Sequence, residues 1–248
     1  MSRVIVFSCQ INQLDEAFFT QAQACLSESE RVRFKDCHKP ARQQQFLAGH
    51  LLVRKVLSLH FEQPEEYWHI QQGPGEPIRL LNPITNTEVY LSLSHNKERV
   101  VCALSLGLEV GIDIENTARD RPFVEFSQQY LTKKEFDKLA AKTGTEQKHY
   151  FYRLWTIMES VGKAQGIGLD KTIFNGEWQQ DSNELIGYSC FSVCLGKDQL
   201  SLALNGNPSS EIEYYEYRAD NSLSAKPLTF ERSSFRLHKS SYRMNESS

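Results

Sequence analysis

An α+β fold is predicted for this chain of 248 residues. Three observations predict it. Short apolar or alternating segments with the two-residue period of strands recur at 3–9, 89–94, 100–106 and 110–115. Longer stretches with helical spacing lie at 14–26, 40–60 and 146–165. Helices and antiparallel-looking strands are mixed along the chain, without the regular strand–helix–strand units of a parallel sheet.

The bulk numbers fit a soluble globule. The chain is 40% hydrophobic and 24% charged, enough for one large domain or two small ones. A net charge of −3 argues against broad nucleic-acid binding. No run of 18 apolar residues exists, so no membrane span is expected. The apolar stretch after Arg3 is too short for a signal-peptide core. The six cysteines are scattered without a C-x-x-C pair. Free thiols and a reducing cytoplasm are the expectation. Cys190 and Cys194 would share one strand face as core packing.

Taken in order, 3–9 reads as a strand and 14–26 as a helix. Ser27 and Ser29 precede a short charged helix ending near Phe34. Pro40 opens the next helix, because its missing N–H costs nothing in a first turn. That helix runs to about His60, with Phe46, Leu47, Leu51 and Leu57 on its apolar face. Residues 68–72 look extended, and 73–77 form a turn. Strands at 89–94, 100–106 and 110–115 read as a meander. Thr132 and Glu135 have capping-box spacing for a helix of about ten residues. The 146–165 helix stops at Gly166. Strands follow at 188–195, 200–204 and 211–217. The last thirty residues are rich in Ser, Lys and Arg with little period, and read as partly disordered.

Two segments carry the chemistry. In Gly111-Ile112-Asp113-Ile114-Glu115, alternation puts Val110, Ile112 and Ile114 on one face and Asp113 and Glu115 on the other. The flanking apolar residues read as a central strand, where bare carboxylates are costly without partners. In 155–163, Trp155, Glu159 and Lys163 are spaced four apart and form one helical stripe. Three carboxylates and an ammonium can then meet. Converging carboxylate oxygens suit Mg²⁺, which usually brings a phosphate with it. Each pair taken alone is as well explained by a solvated face. A third segment, Ser92-Leu93-Ser94-His95-Asn96, ends a strand with a histidine. A basic stretch holds Arg31, Arg33, Lys35, Lys39, Arg42 and Arg54. Arginine suits phosphate through its planar donor fork.

Together these segments resemble the signature motifs of the 4′-phosphopantetheinyl transferases, in the surfactin-type branch. The family pattern is roughly G-[IV]-D-x-E, then W-x-x-K-E-[AS]-x-x-K. This sequence matches with Gly111, Asp113 and Glu115, then Trp155, Glu159, Ser160 and Lys163; Met158 stands where the family usually has Lys. The 92–96 segment is similar to the family's [FN]-x-S-H-[ST], and Phe46-Leu47-Ala48-Gly49-His50 is similar to F-L-x-G-R. Gly75-Glu76-Pro77 aligns with G-K-P, with Glu76 in place of Lys.

The resemblance implies a pseudo-dimer of two similar α+β halves, with the active site in the cleft between them. The halves would be 1–107 and 108–220, followed by a poorly defined tail, 221–248. It implies transfer of the 4′-phosphopantetheine arm of coenzyme A to a serine of an apo acyl or peptidyl carrier protein. The product would be 3′,5′-ADP. Asp113, Glu115 and Glu159 would hold Mg²⁺. Arg42, Ser94, His95 and Lys163 would bind the cofactor. Glu159, directly or through a water, would be the base, with His95 and Lys163 steadying charge. Lys133, Lys134 and Lys138 could dock an acidic carrier or form a solvated face. A cytoplasmic monomer is implied.

Two other readings stay open. Another Mg²⁺ enzyme acting on nucleotides would use the same acids, but no G-x-x-x-x-G-K-[ST] loop occurs. With Met158 and Glu76 removing two positive charges, the chain could instead bind coenzyme A or a carrier with weakened transfer.

Overall fold

The computed structural model describes residues 3–70, 78–81, 85–86, 88–119, 123–170, 173, 177–180, 187–208, 211–218, 220 and 222–236. The Gly75-Glu76-Pro77 segment lies outside them. The chain begins with β1 (Val4–Gln10), α1 (Glu16–Ala24), α2 (Glu28–Lys35) and α3 (Pro40–Phe61). Strands β2 (Ile78–Leu81), β3 (Glu88–His95), β4 (Arg99–Leu106) and β5 (Val110–Asn116) follow. Helices α4 (Phe123–Tyr130), α5 (Lys133–Ala140) and α6 (Gly144–Gln165) come next. The chain closes with β6 (Glu177–Gln180), β7 (Tyr188–Leu195), β8 (Asp198–Leu204), β9 (Glu213–Tyr217), β10 (Leu223–Ala225) and β11 (Glu231–Arg236).

The α+β expectation holds, as two sheets. One has the order β10-β9-β1-β4-β3-β2, the other β5-β8-β7-β11-β6. Alternation decides which residues face which layer. Ile5, Phe7 and Cys9 of β1 pack with α1 and α3 in one core. Val4 and Val6 turn the other way, with Val101 and Ala103 of β4, and meet Val110, Ile112, Ile114, Leu200 and Leu202 of the second sheet. The far face of the second sheet is covered by α6, through Leu154, Ile157, Val161 and Ala164. Helix, sheet, sheet and helix are therefore stacked, each burying an apolar face.

The structure departs from the sequence reading at several points. β5 does not continue a meander. It leaves the first sheet and becomes an edge of the second, pairing antiparallel with β8 from Val110 opposite Leu204 to Asn116 opposite Asp198. Asp113 therefore lies on an edge strand, not a central one. The tail is not shapeless up to 236: β10 pairs with β9, and β11 sits between β6 and β7. β9 rejoins the first sheet, parallel to β1. On the outward path β4 of the first sheet ends at Leu106 and β5 of the second begins at Val110, and β9 and β10 belong again to the first. Finally, Thr132 caps α5 by accepting from the Glu135 N–H, while the Glu135 carboxylate goes to Lys138 and Tyr150 instead of back to the cap.

Caps follow the sequence elsewhere. Ser27 and Glu30 form a full capping box on α2. Gly166 ends α6 at φ 76°, a conformation glycine adopts without a Cβ penalty. All six cysteines are free thiols. Cys190 is core, but Cys194, on the same side of β7, is exposed. No helix among the described residues is long and apolar enough to cross a membrane.

Glu30 also anchors a buried ionic cluster. Its carboxylate accepts from His50 Nδ1 at 2.5 Å and from Arg54 Nη1 and Nη2 at 3.0 and 2.6 Å. Burial opposes the charge on Glu30, yet the bonds from His50 and Arg54 outweigh it and hold the carboxyl far below its ordinary range. Arg54, 1% exposed, is thus a structural residue tying α3 to α2. Glu30→Ala leaves that guanidinium unpaired. It should cost about 3–5 kcal/mol, read from urea unfolding. A loss under about 1 kcal/mol, the range of an exposed pair, would contradict this account.

Candidate active site

The site forms where β3, β5 and α6 meet, and Gly111 is the reason they meet. A Cβ built on Gly111 would lie 1.8 Å from the Ser160 carbonyl oxygen and 2.6 Å from the Ala164 nitrogen. Only the bare backbone lets α6 press onto β5. Farther along, Thr156 Oγ1 and Ser201 Oγ are 2.7 Å apart, and Ser201 is the β8 partner of Asp113. Lys163, on the same helix, reaches Asp113, and Glu159 one turn earlier lines the cavity above.

Asp113 is 5% exposed. Its Oδ1 accepts from Lys163 Nζ at 2.7 Å and from Ser94 Oγ at 2.8 Å. Lys163 also donates to Ser94 Oγ at 2.9 Å and to the Ile112 carbonyl at 3.1 Å. One residue back, the Ile112 N–H on the open edge of β5 donates to Ser92 Oγ at 3.1 Å. The serines of β3 thus satisfy the edge of the second sheet and align it with the first. Ser92 has no role in the sequence reading; its place on the Ser94 face is the only signal for it.

On the opposite face of β3, His95 turns toward α3. Arg42, in the first turn of that helix, donates to His95 Nε2. Burial lowers the imidazole pKa to about 4, with help from the positive charges of Arg42 and Lys163; Asp113 opposes them. His95 is therefore neutral near pH 7, and Nε2 is an acceptor. Arg42→Ala should move the His95 titration, followed by its ring NMR shifts, upward from about 4 toward 6.5. An unmoved midpoint would show that Arg42 has no electrostatic hold on it.

A cavity of about 320 Å³ opens over these groups. Arg42, Ser94, His95, Glu159 and Lys163 line it, together with Arg33 and His50. Five residues expected from the sequence are thus gathered around one space, with Asp113 directly beneath Lys163 and Ser94. Glu115, one alternation on from Asp113, faces the same side of β5.

The donor set suits a hard cation, and one atom points to it. Asp113 Oδ2 is buried and has no hydrogen-bond partner among the described residues. The acids do not form a finished cage, however. Among the described residues, no three His, Cys, Asp or Glu side chains are grouped to hold an ion. Met158, expected to leave the site short of charge, is 2% exposed in the core beneath α6. Met158 is not among the residues that line the cavity.

Known proteins match the region that builds this site. The family model for the 4′-phosphopantetheinyl transferase superfamily matches residues 109–214, which include both β5 and α6. The 4′-phosphopantetheinyl transferase Sfp of Bacillus subtilis is 30% identical over 158 residues, 58% of this chain and 67% of that protein. The transferase gsp of Aneurinibacillus migulanus is 29% identical, over 64% of this chain and 63% of the relative. The rat L-aminoadipate-semialdehyde dehydrogenase-phosphopantetheinyl transferase is 32% identical, over 50% and 42%. These matches span about two thirds or less of each relative. The chain belongs to the 4′-phosphopantetheinyl transferase superfamily, a family of transferase enzymes, in its Sfp-like branch.

Proposed function

We propose that this protein transfers the 4′-phosphopantetheine arm of coenzyme A to a serine of an apo acyl or peptidyl carrier protein, releasing 3′,5′-ADP. The observation that carries the reading is the meeting of Asp113, Lys163 and Ser94 beneath the cavity that His95 and Arg42 line from the other side. The α3-covered and α6-covered sheets are read as the two halves of a pseudo-dimer. The cofactor lies in the cleft between them, and one chain supplies a complete site as a monomer.

Phosphoryl transfer asks a protein mainly for positioning and charge neutralisation. Mg²⁺ held by Asp113, Glu115 and Glu159 would supply neutralising charge at the diphosphate. Arg42 and Lys163 bring fixed cations to the same place. An entering diphosphate competes with His95 for the donors of Arg42. The imidazole, relieved of that donor and placed beside an anion, then gains proton affinity and becomes a donor to the leaving group. Glu159, on the cavity wall, takes the serine proton directly or through a water. Lys163 steadies the transferred group.

Incubation with coenzyme A, Mg²⁺ and an apo carrier tests this by intact-mass measurement. The carrier should gain one phosphopantetheine arm on its serine. Coenzyme A binding without that gain would favour a cofactor-binding homologue.

A further inference from the structure

The turn that carries His95 is tied into a buried polar cluster that the transfer mechanism does not use. Asn96 is its hub. Asn96 Oδ1 accepts the backbone N–H groups of Glu98 and Arg99, both at 2.9 Å, which closes the β3–β4 turn. Asn96 Nδ2 donates to Asp198 Oδ1 at 2.8 Å, at the start of β8 in the other sheet. The Asn96 carbonyl accepts from Gln45 Nε2 at 3.1 Å, one helical turn from Arg42 on α3.

Arg99 completes the cluster. It donates to Asp198 Oδ2 at 3.3 Å and to Ser8 Oγ at 3.1 Å, and Ser8 Oγ lies 2.7 Å from the Tyr214 hydroxyl. Arg99 is 8% exposed and Asp198 4%. A pair so desolvated contributes little net stability, whereas breaking it is costly, so its main effect is to fix geometry. Asp198 sits opposite Asn116, on the strand that carries Asp113 and Glu115. One set of hydrogen bonds therefore joins α3, the His95 turn and the β5–β8 ladder.

We propose that Asn96, Arg99 and Asp198 are positioning residues, a strut across the two sheets that holds His95 and Arg42 in register with the acids of β5. The proposal rests on the transferase reading in that the registered groups are those that grip the coenzyme A diphosphate.

The test reverses the Asn96–Asp198 hydrogen bond. Asn96→Asp sets two carboxylates face to face. It should raise KM for coenzyme A by about ten- to a hundredfold, the scale of a small misplacement, and leave KM for the carrier unchanged. The double variant Asn96→Asp with Asp198→Asn exchanges donor and acceptor and should recover most of the loss. The ring NMR signals of His95, assigned with His95→Gln, should shift in the single variant and return in the double. A single variant with wild-type KM and His95 signals would overturn the proposal. So would a double variant no better than the single. Should Asn96→Asp fail to fold, Gln45→Ala removes the α3 leg alone; shifted His95 signals support the strut and unshifted ones refute it. Wild-type protein that binds no coenzyme A would defeat the transferase reading, while the His95 signals still decide the strut.

Discussion

Asp113→Ala is expected to cut Mg²⁺-dependent transfer by about a thousandfold, the scale seen when one preorganised charge-stabilising group is lost. The geometry gives two reasons. Asp113 presents Oδ2, the buried oxygen without a partner, as the strongest candidate cation ligand. Its Oδ1 also holds the Lys163 ammonium, which after its loss keeps only the Ser94 hydroxyl and the Ile112 carbonyl and no anionic partner there. The fold should survive, because β5 keeps its ladder to β8 and its apolar face in the core between the sheets. Circular dichroism and a melting curve check the fold, and initial rates check the chemistry. Asp113→Asn separates the two reasons. It keeps the shape and an acceptor for Lys163 while removing the charge, and it should be nearly as impaired. A folded Asp113→Ala protein with wild-type rates would remove the metal assignment altogether.

Gly111→Ala should be the most damaging added methyl among the described glycines. Its Cβ would fall inside the Ser160 carbonyl and against the Ala164 nitrogen, both backbone atoms of α6. Backbone in the middle of a 22-residue helix cannot swing aside as a side-chain tip does, so the helix must shift as a body. Overpacking of this kind costs about 3 kcal/mol, and more when backbone must move. That corresponds to a fall in Tm of roughly 6–12 °C for a domain of this size. Activity should fall further than stability alone explains. Glu159 and Lys163 ride on the shifted helix while Asp113 stays on β5, and a misplacement near 1 Å can cost about a hundredfold. A variant with unchanged Tm and unchanged rate would mean that β5 and α6 are not in the close contact described.

Much of the site was legible in the sequence because local periodicity decides which side chains share a face. Asp113 and Glu115 lie two apart on a strand, and Glu159 and Lys163 four apart on a helix. The fold then needs only Gly111 to bring the two together. What local pattern does not encode is which distant strand becomes the neighbour. The central-strand reading of Asp113 failed for this reason. Ile112 and Ile114 are apolar because they face the other sheet, not because strands flank β5 on both sides. β11 escaped notice because Glu231–Arg236 is mostly polar, and its ladder comes from β6 and β7, some forty residues upstream or more. Arg99 and Asp198 meet across a separation of 99 residues, so no spacing could reveal the strut. A motif also gives a position without its burial, and Met158 is 2% exposed.

The account is tested most directly by a crystal structure of the protein with coenzyme A and Mg²⁺. It predicts the diphosphate in the cavity of about 320 Å³, in contact with His95, Arg42 and Lys163, and a cation on Asp113. A cofactor lodged elsewhere, such as the groove beside Arg99, Arg218 and Lys226, with Asp113 bound only to Lys163 and Ser94, would contradict it.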